Sequence, residues 1–106
     1  KHYLNENGIK YFDETWYPTV EGLIKQQDGY VLIEATAEAG DLECRNITVQ
    51  FKGQTTLDAW VAHDDHQAVI NDLDQFRTRA WHYVIKKEND LGKPADLRDW
   101  EEVPLA

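Results

Sequence analysis

The chain has 106 residues, which suits one domain and is too short for two, and its 42% apolar content with four Trp, five Tyr and three Phe excludes a disordered chain. Its 20 acidic side chains against 11 basic ones leave a formal charge of −9, which repels duplex nucleic acid and anionic membranes. The lone Cys44 excludes an internal disulfide framework, and the neighbouring Glu43 disfavours a reactive thiolate.

No apolar run is long enough to cross a membrane, so no membrane insertion is expected. Met is absent even at the first position, which points to a processed or excised N-terminus. With no disulfide pattern and no apolar leader, a cytoplasmic setting is the expectation.

In chain order, Asn5-Glu6-Asn7-Gly8 has turn chemistry, and residues 9–12 then read as an edge strand. Pro18 biases Tyr17 towards extended backbone and suits the start of a strand over residues 19–26. Asp28-Gly29 follows as a hairpin tip. From Tyr30 to Glu38 the residues alternate, with Val31, Ile33, Ala35 and Ala37 on one face and Glu34, Thr36 and Glu38 on the other.

Ala39-Gly40-Asp41 is the next turn. Residues 43–52 alternate again, with Ile47, Val49 and Phe51 facing in and Thr48, Gln50 and Lys52 facing out. After Gly53-Gln54, residues 55–62 place Leu57, Ala59 and Val61 opposite Asp58 and Trp60. Short turns between such segments predict an antiparallel meander over residues 18–62.

Asp64 and Asp65 then supply helix-capping carboxylates, and Val69, Leu73, Phe76 and Ala80 recur at helical spacing. The pattern predicts one main helix over residues 65–80. Residues 81–87 are aromatic and β-branched and favour a strand, while a short helix is expected at 95–101. The fold class is therefore α+β: a single domain over residues 1–106, with a meander of four to five antiparallel strands packed against one main helix in the C-terminal half. A small, partly open OB-like barrel is the alternative, and the acidic charge balance argues against it.

Catalytic chemistry finds little support. The chain contains no Ser, Cys44 has an unsuitable environment, and the six glycines are scattered through turns instead of forming a phosphate cradle. No catalytic residue and no cofactor is expected. A divalent metal is the alternative, with His63, Asp64 and His66 as its ligands in the His63-Asp64-Asp65-His66 run. Without a metal, that run is a capped helix start whose two histidines hold protons more tightly beside Asp64 and Asp65.

The other feature is aromatic. Tyr30, Leu32 and Trp60, with Glu34 and Asp58 among the polar side chains around them, form a candidate binding surface on the outward sheet face. The basic side chains Arg77, Arg79, Lys86 and Lys87 read as a solvated face. The sequence therefore predicts a non-catalytic protein-interaction domain with an acidic surface, such as an inhibitor or immunity-like module that blocks a basic partner. A metal-dependent hydrolase centred on the histidine-aspartate run is one alternative, and a structural domain excised from a larger assembly is another. The expected partner is a protein rather than a nucleic acid.

Overall fold

The structure is a computed structural model that describes residues 1–81, 83–86 and 100–103, the last two stretches as backbone strands. Its first long element is helical. Strand β1 (His2–Leu4) leads into α1 (Glu6–Tyr11), a π-helical turn (Phe12–Trp16) and α2 (Tyr17–Ile24). The junction residues all keep helical backbone, so the three segments run on without a break. Asn5 starts the helix by accepting a hydrogen bond from Gly8 N–H at 2.8 Å.

A single sequence pattern governs this helix. Gly8, Phe12, Trp16, Val20 and Ile24 are all buried and stand four residues apart. An α-helix turns about 100° per residue, so a four-residue repeat drifts by about 40° at each step. The π turn, in which Tyr17 N–H reaches the Phe12 carbonyl five residues back, winds more loosely and corrects that drift. It also precedes Pro18, which lacks a backbone donor and crowds the turn before it.

Strands β2 (Tyr30–Glu38) and β3 (Asp41–Phe51) form a long hairpin closed by Gly40 at φ 80°. With β1 and β4 (Arg77–Arg79) they make an open antiparallel sheet in the order β2-β3-β1-β4. One face, carrying Leu4, Ile33, Ala35, Ile47, Val49 and Phe51, meets the helical layer. Gln50 and Cys44, on the opposite face, are buried as well. Gln50 thus corrects the expectation of a solvent-facing position. Strands β5 (Tyr83–Lys86) and β6 (Trp100–Val103) pair separately as an antiparallel ribbon.

Between β3 and β4 come α3 (Gln54–Ala62) and α4 (Asp64–Leu73), followed by a 3-10 turn (Asp74–Phe76). Helix α4 is tied to the first helix by Trp16 Nε1–H, which donates to the Val69 carbonyl at 2.7 Å, and by the hydroxyl of Tyr11, which donates to Asp72. Leu57, Trp60, Val69, Ile70, Leu73 and Phe76 complete the core around Phe12, Trp16 and Ile24.

The α+β class, the antiparallel sheet and the strand content of Tyr30–Glu38 and Asp41–Phe51 agree with the sequence reading, and the sheet is open rather than barrel-like. The meander over 18–62 is shorter than expected, because residues 9–12, 19–26 and 55–62 are mostly helical. Pro18 sits at the start of α2 instead of opening a strand. Asp28-Gly29 is a helix-to-strand turn, with Gly29 at φ 79°. Leu57 and Trp60, three apart, face the core together, where alternation would have sent them to opposite sides.

The helix expected over 65–80 ends at Leu73 because residues beyond it are drawn into the sheet, where Leu4 pairs with Arg77 and Tyr3 with Arg79. The helix layer is thus shared between α4 and the longer N-terminal helix, instead of resting on one C-terminal-half helix. The strand within 81–87 is present as β5. The helix expected at 95–101 lies mostly outside the described residues, and its last two positions belong to β6. Among the described residues no helix is long and apolar enough to cross a membrane.

Candidate functional site

The proposed aromatic surface does not assemble as an exposed patch. Trp60 is only 2% exposed and belongs to the core. The register shifts between Tyr30 and Leu32, so Tyr30 lies opposite Phe51 and turns to the core face. Leu32 and Glu34, opposite Gln50 and Thr48, stay on the other sheet face, and one carboxylate oxygen of Glu34 is buried there. Only Asp58 of the five is freely exposed, where Gln54 Nε2–H donates to its Oδ1 at 2.8 Å. The physical reason is the helical period of α3, which puts Trp60 and Asp58 on different sides of one cylinder.

The histidine-aspartate run occupies the bend between α3 and α4. His63 has extended backbone and caps α4: its Nδ1 accepts from Asp65 N–H at 3.0 Å. His66 closes the end of α3. Its Nδ1 lies 3.0 Å from the Val61 carbonyl, which can only accept, so His66 carries a proton on Nδ1. Gln67 Nε2–H donates to the same carbonyl at 2.7 Å. The His66 ring stands edge-on to Trp60 with centroids 5.0 Å apart.

Both histidines therefore spend a ring nitrogen on helix ends. Among the described residues no group of three or more His, Cys, Asp or Glu side chains is placed to hold a metal ion. The expectation that His66 would hold its proton more tightly is also corrected. Burial lowers its affinity for a second proton, and the bond to Val61 opposes that only in part.

What the bend does present is an acidic helical hairpin. From Gly53 to Phe76 there is no Lys or Arg, and Asp58, Asp64 and Asp65 are exposed on α3 and α4. Ala59, Ala62 and Ala68 lie exposed among them, and Val61 is 47% exposed. Such short side chains lose little rotamer freedom when covered. Neither the acids nor the alanines are needed by the core, since Leu57, Trp60, Val69 and Leu73 already anchor the two helices.

Two functional-looking groups escape a reading by sequence alone. His2 is 6% exposed and accepts at Nδ1 from Arg77 Nη1–H at 3.0 Å. Arg77, expected on a solvated face, is a partly buried connector that also donates to the Ile70 carbonyl at 3.1 Å and to Asp74 at 2.7 Å. Arg79 lies 4.1 Å over the ring of Tyr3. Nothing in local sequence spacing could pair positions 2 and 77. Cys44 is fully buried, and burial pushes its thiol up.

The chain matches no protein-family model, no curated protein and no solved structure.

Proposed function

We propose that the chain is a non-catalytic protein-interaction domain that docks a basic partner protein, in the manner of an inhibitor or immunity-like module. The observation that carries this reading is the α3–α4 hairpin, a continuous acidic element with three exposed aspartates, short apolar neighbours and no cation from Gly53 to Phe76. Opposite charge would speed encounter and set orientation, while Val61 and the alanines would supply close, low-entropy contact. The chain's net charge of −9 reinforces the same preference.

The test is a comparison of the full chain with an Asp58→Lys, Asp64→Lys, Asp65→Lys variant as baits for proteins of its source cells, at low and at high salt. The reading predicts a basic protein retained by the natural chain at low salt, released at high salt and not retained by the variant. Equal retention by both baits, or no basic protein at low salt, overturns it. All three positions are exposed, so the variant is expected to keep its circular dichroism spectrum.

A further inference from the structure

A second surface feature lies on the β2–β3 hairpin. Leu42, just past the Gly40 turn, is 90% exposed and is the most exposed large apolar side chain among the described residues. It borders an open groove of about 420 Å³ whose other lining residues are Ile9 and Glu6 of α1 and Glu43 and Arg45 of β3. That volume lies within the range of small ligand sites, about 300–1,000 Å³.

The charge of this groove is settled by hydrogen bonding. The Arg45 side chain is 15% exposed, and all three of its nitrogens are committed. Nε and Nη2 donate to the two carboxylate oxygens of Asp13 at 3.0 and 3.1 Å, and Nη1 donates to the Cys44 carbonyl at 3.2 Å. A guanidinium so engaged is neutralised and offers no fork to an anion. The carboxylates of Glu6 and Glu43 remain, and among the described residues neither has a hydrogen-bonding or ionic partner. The groove thus joins an apolar surface, Leu42 and Ile9, to uncompensated negative charge.

We infer that this groove receives an aliphatic side chain flanked by Lys or Arg, carried on a segment of the basic partner protein. The inference deepens the docking function proposed above and rests on it, but assigns a contact apart from the α3–α4 hairpin. Burial of Leu42 against the incoming aliphatic group supplies affinity, and Glu6 and Glu43 select its cationic neighbours. A second copy of the chain does not fit: it would bring Glu43 against Glu43 between two molecules that each carry −9.

The test uses the isotopically labelled full chain and three short synthetic peptides. One has Leu between two Arg, the second has Glu in place of both Arg, and the third has Ser in place of Leu. The inference predicts saturable shifts of the Ile9, Leu42 and Glu43 amide resonances with the first peptide alone, weakened by salt. Leu42→Ser weakens that binding about tenfold or more, as loss of one buried aliphatic contact requires. Glu43→Lys weakens it too, and both positions are exposed enough for the variants to fold.

Shifts confined to other surfaces, equal binding of the Glu peptide, or indifference to Leu42→Ser would overturn the assignment. The Asp58→Lys, Asp64→Lys, Asp65→Lys variant separates the two ideas. It should bind the Arg-Leu-Arg peptide at the groove with the same set of shifted amides. If it also retains the cellular partner unchanged, the α3–α4 reading fails while the groove stands.

Discussion

His2 and Arg77, on the neighbouring strands β1 and β4 but 75 positions apart in sequence, meet with Arg77 Nη1 3.0 Å from His2 Nδ1. The pairing requires a neutral imidazole, because a protonated Nδ1 could not accept from the guanidinium. Burial, together with the charges of the chain's amino terminus, Arg77 and His66, pushes the imidazole from 6.5 down to about 3. Below pH 6.5 the unfolded chain therefore takes up a proton that the folded chain refuses. Stability is complete above that pH and falls as the pH drops towards about 3, by up to about 1.4 kcal/mol per unit. Denaturant midpoints between pH 6.5 and 5, above most carboxylate titration, should show this slope. His2→Asn, which can still accept from Arg77, should flatten it, leaving the smaller contribution of His66, whose shift has the same sign.

Gly8 and Gly22 lie on the same helical run and should respond oppositely to alanine. A Cβ at Gly8 would sit 2.5 Å from Phe76 Cβ and 3.0 Å from Leu4 Cβ, so the interface must open. Gly8→Ala should cost about 1–3 kcal/mol despite its better helix propensity. At Gly22 nothing lies within 4 Å of the added carbon. Gly22→Ala should stabilise by about 0.5–1 kcal/mol. Thermal and denaturant midpoints of the two variants give the comparison.

The π turn sets the phase between the two halves of the first helix. Deleting Glu14, an exposed residue within it, should let the π turn close into a regular α-helical turn, which keeps Val20 and Ile24 near their present phase relative to Phe12. The loss should therefore be smaller than that of Phe12→Ala, about 3–5 kcal/mol. Substituting Glu14 with Ala keeps the residue count and should change stability by less than about 0.5 kcal/mol. Urea denaturation of the three variants separates phase from side-chain chemistry.

Trp60 serves as a core anchor and is not part of the proposed docking face. Trp60→Ala should therefore destabilise the fold by about 3–5 kcal/mol. Native tryptophan fluorescence should show the matching feature: little quenching of Trp16 and Trp60, each at most 3% exposed, by iodide.

The α+β class and the central hairpin were legible because Tyr30–Glu38 and Asp41–Phe51 alternate at a period of two that only a sheet satisfies. The first helix was not. Its buried residues repeat every four positions, a spacing that also fits alternation, and Pro18 mimics a strand start until the π turn before it is known. Helix α3 misled for a related reason, since Leu57, Ala59 and Val61 alternate while the residue that enters the core beside Leu57 is Trp60. The exposure of Asp58 could be read directly. The role of Arg77 could not, because its partners His2 and Ile70 come from other elements.

Contact at the α3–α4 hairpin is tested most directly by placing a photoreactive side chain at Ala59 and, separately, at Gly22, an exposed position on α2, then irradiating with the partner fraction retained by the natural chain. The docking account predicts a covalent adduct with a basic protein from position 59, absent from position 22 and lost at high salt. An adduct of equal yield from position 22, or none from position 59 in a fraction that still binds, would contradict it.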